Sequence, residues 1–382
     1  MRQVPAYPLR GALPMKMTVG IIGCGVISKT YIKEMKRLYS DVLEIKAVAA
    51  RHYENAVKTA EKYKIPHAYT VEELLGDEEI KLVVNLTPPG QHVEVNMKIL
   101  RAGKHLFSEK PFAIEMKDAL EILSYAKEHG LYVGSAPDVF LTAPQQNSRL
   151  AVDSGLIGKP NYATVNMISC GVEHWHANPF FYYQYGGGPL YDMAPYYLSA
   201  IINILGPIKE VYAQQATAFE KRLITAEPHV GEYIDVEVPT HFSGVLTMES
   251  GVVVSLNMSF DIYKSTLPMV EIYGSEGSIN IPNPDLTNGK PKIWRKNEVL
   301  TRNGPNTHQV AAPDSYKSVA RYTRGTGVAE MARAIMAGKP NRASGDLAVH
   351  ILEAIVKLTE SAKCGHKLSL ETRCERPEAM EL

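Results

Sequence analysis

Short apolar runs alternate with amphipathic stretches from Thr18 to about Val133. TVGII, LEIKAVAA, KLVVNL, HLFSE and LYVGS read as strands, and the segments between them carry the spacing of helices. Helices are predicted near Ser28 to Leu38, Asn55 to Tyr63, His92 to Arg101 and Met116 to Glu128, with a further short one after the capping-box pair Thr70 and Glu73. Strand, helix, strand repeated at this pitch predicts a parallel, doubly wound α/β sheet. After Pro144 the pattern changes. One helix (Pro144 to Asp153) leads into longer strands, NYATVNMIS, THFSGVLTM, GVVVSLNMSF, MVEIYG and SINIP, with glycine-bearing hairpin joints at MESGV and GSEGS. Two helices, Val328 to Ala337 and Asp346 to Ala362, close the chain. This half predicts an α+β unit: a large, mainly antiparallel open sheet with helices on one face.

A chain of 382 residues exceeds one comfortable core, which agrees with two domains. Forty-one basic residues balance forty-one acidic ones, so no global field draws nucleic acid or an anionic membrane, and small-molecule chemistry becomes the expectation. Four cysteines without a CxxC pair suit a reducing cytoplasm, and the longest apolar runs, such as Leu198 to Leu205, fall short of a membrane span. The opening MRQVPAYPLRGALPMK has three prolines and no period. Residues 1–16 therefore read as a tail, disordered or laid on a neighbouring subunit, with Met15 or Met17 as alternative starts.

TVGIIGCGVIS, residues 18–28, runs a strand into Gly23 and Gly25. The first glycine permits a tight turn, and the second lets a pyrophosphate approach the backbone. The helix start at Val26, Ile27 and Ser28 then offers unpaired N–H groups to the anion, as in a Rossmann dinucleotide site. Ser28 stands where a third glycine or alanine is usual and is small enough for close packing. The acid expected at the end of the second strand is missing: Ala50 occupies that place and Arg51 follows. A guanidinium there suits the 2′-phosphate of NADP, whereas an arginine that only covers the adenine is compatible with NAD. The cofactor is expected to be NAD or NADP, with a slight tilt to NADP. Thr87, Pro88 and His92 in NLTPPGQH, and Glu109 and Lys110 in SEKPF, follow the ends of two further strands, where ligands of open α/β sheets bind. The domains are thus read as 17–140 for the dinucleotide and 141–382 for substrate and oligomerisation.

In GGGPLYDMAPYY, Asp192 and Tyr196 stand four apart and face the same way on a helix whose first turn tolerates Pro195. Leu198, Ile201, Ile202 and Leu205 form its core face, and on spacing alone Tyr196 and Tyr197 are core as well. Asp138 and Gln145 in SAPDVFLTAPQQ are candidates for sugar-hydroxyl contacts, or else a turn aspartate and a solvated helix face. GVEHWHANPFFYYQYGGG is dense in groups suited to polyols, among them His174, Trp175, His176, Tyr182, Tyr183 and Tyr185, and reads as a substrate-pocket loop or as packing. His174 and His176 lack a visible third ligand, so no metal is expected.

GCGVIS, TPP, EKP, GGGxLxD and IYGSEGSINI occur in that order between Thr18 and about Leu370. In order and spacing they resemble the Gfo/Idh/MocA oxidoreductases, a family that includes glucose-fructose oxidoreductase, inositol dehydrogenase and dihydrodiol dehydrogenase. The resemblance implies a nicotinamide dinucleotide on the first domain facing the open sheet of the second, a cytoplasmic enzyme acting on a sugar or polyol, and a homo-oligomer. It implies that Lys110 hydrogen-bonds the reacting oxygen, that Glu109 lies near the nicotinamide ribose, and that Lys110–Pro111 is a candidate cis peptide. Asp192 falls on the family aspartate. Four residues later most members have histidine, and this chain has Tyr196, as glucose-fructose oxidoreductase and dihydrodiol dehydrogenase are similar in having. The resemblance then makes Tyr196 the base, its phenol acidified by the Lys110 ammonium, with Asp192 orienting the group and Lys110 as the alternative proton carrier. Two further readings follow from relatives: a glycoside 3-oxidase whose tightly bound cofactor is recycled by a second sugar, and a non-enzymatic sensor like the yeast galactose repressor.

Overall fold

The computed structural model describes residues 16–301, 304–305, 309, 311–317 and 322–381. The tail, apart from Lys16, lies outside the described residues. The first unit alternates β1 (Met17–Ile22), α1 (Val26–Leu38), β2 (Leu43–Ala49), α2 (Tyr53–Tyr63), β3 (His67–Tyr69), α3 (Val71–Gly76), β4 (Leu82–Asn85), α4 (His92–Arg101), β5 (His105–Ser108), α5 (Met116–Glu128) and β6 (Val133–Ser135). Its six strands are all parallel in the order β3-β2-β1-β4-β5-β6. Central strands buried on both faces, such as Leu82–Asn85, carry near-continuous apolar side chains, as a sheet with helices on both sides requires. The capping box forms as expected: Thr70 Oγ1 accepts from the Glu73 amide, and Glu73 accepts from the Thr70 amide.

The second unit opens with α6 (Ala143–Asp153), β7 (Pro160–Ile168), α7 (Gly188–Leu205) and β8 (Ile208–Ala216). It continues through β9 (Lys221–Leu223), β10 (Tyr233–Asp235), β11 (His241–Met248), β12 (Val253–Ser259), β13 (Val270–Gly274), β14 (Gly277–Ile281) and β15 (Lys292–Arg295). After α8 (Lys296–Val299), β16 (Leu300–Thr301) and β17 (Gly304–Pro305), it ends with α9 (Thr326–Ala337), α10 (Gly345–Cys364) and β18 (Leu368–Ser369). An eight-stranded sheet runs β15-β14-β13-β7-β12-β11-β8-β18, antiparallel except where β7 and β12 pair in parallel. Helix α7 lies across β7, β12 and β11, and α10 across β8.

Three features depart from the sequence reading. Strand β8 lies one place in from the edge of the sheet, with only the two-residue β18 outside it, and escapes the sequence pattern because glutamine, glutamate and tyrosine interrupt its apolar residues. Pro195 lies deep inside α7, whose first turn holds Pro189 instead. The chain also returns to the first unit: Ser135 N donates to Ala343 O at 3.0 Å and Asn341 Nδ2 to Val133 O at 3.1 Å, extending the open edge beside β6. No helix among the described residues is long and apolar enough to cross a membrane.

Candidate active site

The turn from β1 into α1 forms an anion cradle. Gly23 has φ +110°, and a Cβ there would lie 2.4 Å from the Leu86 carbonyl oxygen, so only glycine fits. Gly25 is the extended N-cap of α1 and has open space around its missing side chain, with nothing within 4 Å. No side chain caps the helix, Val26 is 84% exposed, and Ile27 is half-buried beneath it. The first amides of α1 therefore face open space, the arrangement that receives a pyrophosphate. Ser28 is buried and donates to Gly25 O at 2.7 Å, which steadies the turn. These residues fit a dinucleotide.

Arg51, beyond the end of β2, is exposed and has no hydrogen bond or ion pair among the described residues. Thr87 is tied down through N and Oγ1 to Asn85 Oδ1, and Pro88 beside it is exposed. His92 does not line the groove. Its ring is buried with Nε2 2.8 Å from Thr87 O and Nδ1 2.7 Å from Pro111 O, so it clips the loop after β4 to the loop after β5. Glu109 is also buried, and its carboxylate accepts from the Tyr31 hydroxyl and from the Lys110 amide, each at 2.8 Å.

Lys110 emerges at the carboxyl end of β5, next to a cis Lys110–Pro111 bond. Its Nζ donates to Asp192 Oδ1 at 2.6 Å and to Asp192 O at 2.8 Å. Pro195, inside the same helix, has no N–H to offer the Tyr191 carbonyl four residues before it. One helical turn on from Asp192, the buried Tyr196 presents its ring 5.3 Å from Lys110 Nζ. The geometry thus brings Lys110 from the first unit together with Asp192 and Tyr196 from the second.

The electrostatics correct one expectation. Burial pushes the Tyr196 phenol well above its ordinary pKa, and the opposing pull of Lys110 and Arg324 does not overcome it. Burial works against the Lys110 ammonium too, but the Asp192 carboxylate, joined by the Tyr196 phenolate only where that forms at high pH, outweighs it and raises its pKa. At neutral pH the pair is therefore an ammonium beside a protonated phenol. Tyr182, which faces Lys110 and Asp192, is pushed up to about 12, by burial first and then by Asp192.

The sugar-contact candidates disperse. Asp138 is buried and its Oδ2 accepts from the amides of Gly325 at 3.2 Å and Gly327 at 2.7 Å, which is a structural tie rather than an open contact. Gln145 is fully buried, not on a solvated face: Nε2 donates to Pro282 O at 3.0 Å, and Oε1 has no partner among the described residues. Tyr183 is likewise interior, its hydroxyl donating to Glu173 and its ring packed on Phe260 and under Arg222. His174 is exposed and pairs with Thr225 Oγ1 at 2.9 Å. His176 packs edge-on to Trp175, Phe181 and Tyr182, and so carries an aromatic row toward the Lys110–Asp192 pair.

Arg324 and Asp285 escaped the sequence reading. The guanidinium is buried, with Nη2 3.3 Å from Tyr196 Oη and 3.2 Å from Asp285 Oδ1. The only available signal was an arginine before GTG at the start of a helical pattern. A separate cavity of about 960 Å3, bounded by Glu115, Tyr185, Glu237 and Lys357, contains none of Lys110, Asp192 and Tyr196.

Residues 17–136 match the family described as GFO/IDH/MocA oxidoreductase, NAD-binding Rossmann fold, and residues 146–280 match the GFO/IDH/MocA C-terminal domain. An uncharacterised oxidoreductase of Synechocystis is 24% identical over 280 residues, 71% of this chain and 72% of the relative. The trans-1,2-dihydrobenzene-1,2-diol dehydrogenase of Danio rerio is 25% identical over 330 residues, 85% of this chain and 90% of the relative. A levoglucosan dehydrogenase solved with NADH and L-sorbose superposes with a TM-score of 0.77 at 18% identity, over 94% of this chain and 100% of that one.

Proposed function

Because the chain belongs to the Gfo/Idh/MocA oxidoreductase family, we propose that it interconverts a secondary alcohol of a sugar, glycoside or cyclic polyol with the corresponding ketone. A nicotinamide dinucleotide would be held at Gly23, Gly25 and the start of α1, and supplies the hydride acceptor or donor. The observation that carries the reading is Lys110 Nζ, 2.6 Å from Asp192 and 5.3 Å from the Tyr196 ring, at the carboxyl edge of the parallel sheet. The names of the dihydrobenzenediol and levoglucosan relatives support an alcohol carbon bearing hydroxyl neighbours.

Lys110 polarises the substrate oxygen, and Asp192 keeps it cationic and aimed. Tyr196 carries the proton. Because burial holds the phenol protonated, Tyr196 is ready to donate when a carbonyl is reduced, and it must first lose that proton when an alcohol is oxidised. Oxidation is therefore expected to accelerate as pH rises, while reduction stays level through neutrality. Lys110 as the proton carrier is disfavoured because Asp192 holds its ammonium so firmly. Exposed and unpaired, Arg51 inclines the pocket toward a 2′-phosphate, hence NADP over NAD.

The test is to purify the protein, look for nicotinamide absorbance that survives dialysis, and assay sugars and inositols with both dinucleotides. Tyr196→Phe should bind the dinucleotide normally and lose roughly 100- to 10,000-fold in turnover. Parental turnover in that variant would refute the assignment.

A further inference from the structure

Arg324 is the bulkiest fully buried side chain among the described residues, and no step above uses it. Its turn is anchored on the first unit. Asp138 accepts from the amides that follow it, and Gly325 has φ +96° with a Cβ position only 2.7 Å from Met35 Cγ. From that anchor the guanidinium reaches across to the second unit, stacked at 4.0 Å on the Tyr322 ring and tethered by Asp285. A guanidinium has donors and no acceptor, so its contact with Tyr196 Oη uses an oxygen lone pair. The single phenolic hydrogen is left free to point into the site.

The charges around Tyr196 single out this contact. Lys110 and Glu109 face it from the loop after β5, Asp285 from the loop after β14, and Arg324 from the segment before α9, while Asp192, one turn back on the same helix, pairs with Lys110, and Tyr182 and Tyr322 stand beside these same charges. The Lys110 charge is matched by Asp192 at 2.6 Å. Glu109 and Asp285 are anionic. The cation within hydrogen-bond reach of the phenol oxygen is Arg324.

We propose that Arg324 is a positioning residue for the proton step: it fixes the Tyr196 oxygen, aims its hydrogen at the substrate, and steadies the negative charge left when that hydrogen moves. The proposal rests on Tyr196 being the proton carrier.

Two measurements test it. In the pH profile of alcohol oxidation, Arg324→Met should move the rising limb to higher pH by about one unit, a tenfold loss at a fixed lower pH, while substrate KM changes little. Arg324→Lys, which keeps a cation, should fall between this variant and the parent, and it serves if the methionine variant does not fold. Independently of turnover, a ring-fluorinated tyrosine placed at position 196 reports its own ionisation by 19F NMR, and that midpoint should rise when Arg324 is replaced. An unmoved midpoint in a folded variant overturns the proposal. Parental turnover in Tyr196→Phe overturns instead the proton-carrier reading beneath it, and the fluorine signal separates the two.

Discussion

Removing Asp192 isolates a charge, and the size of the effect follows from the geometry. Lys110 Nζ lies 2.6 Å from Oδ1, and the two side chains are only 17% and 13% exposed. In Asp192→Ala the ammonium loses its counterion and keeps its burial. Breaking a buried pair from one side costs about 3–5 kcal/mol, and the residual exposure argues for the low end, about 3 kcal/mol. In a domain of this size that loss lowers the melting temperature by roughly 6–12 °C. Lys110→Met leaves the opposite charge stranded and should cost a similar amount. The double variant strands neither, so its loss should fall below the sum of the single losses by about 2–3 kcal/mol. Both tryptophans, Trp175 and Trp294, belong to the second unit, so urea unfolding followed by their fluorescence reads the unit that holds Asp192 without needing a substrate. The coupling should persist in ~0.5 M salt, because a pair this close and this buried is little screened. Losses additive within about 0.5 kcal/mol would show that Lys110 and Asp192 are not a coupled unit, and the electrostatic account of the site would fail with them.

Gly23→Ala should cost about 2–4 kcal/mol, from its φ of +110° and the collision with Leu86 O, as seen in thermal melts. Gly25→Ala meets nothing within 4 Å, so it should melt like the parent yet bind NADH or NADPH at least about tenfold more weakly by calorimetry; parental affinity would move the pyrophosphate seat elsewhere. Arg222→Met strands the buried Glu173 and Asp261 carboxylates, now 2.6 and 2.5 Å from the guanidinium, and should destabilise by about 3–5 kcal/mol in chemical unfolding. His350 is buried and neutral, accepting the Ile208 amide at Nε2, and burial lowers its pKa. The unfolded chain therefore takes up the proton first as pH falls below about 6.5, so this contribution is complete above that value and drains away as the pH falls further through the lowered folded-state pKa. Subtracting the pH profile of His350→Gln from that of the parent should isolate the loss; a flat difference would refute it.

Local patterns were enough for much of this protein. Gly23, between a β-branched run and an amphipathic stretch, states its own turn, because only a residue lacking Cβ suits it. The helices over His92–Arg101 and Met116–Glu128 and the capping box at Thr70 rest on contacts within a few residues, so periodicity reveals them. Family motifs marked Lys110, Asp192 and Tyr196 although 82 residues separate the first two. Strand β8 was not legible, since its place in the sheet is decided by β11 and β18 and not by its own alternation. Nor could sequence show that Asp138 and Gln145 are buried ties, that His92 clips two loops, or that Tyr183 serves the Glu173–Arg222 network, because each role depends on a partner far along the chain. The protonation of Tyr196 depended most on tertiary structure. A lysine nearby predicts an acidified phenol, but the charge of a buried group is set by how much water it loses against all the charges that replace it. That balance exists only once Arg324, 128 residues away in sequence, has folded against the phenol oxygen.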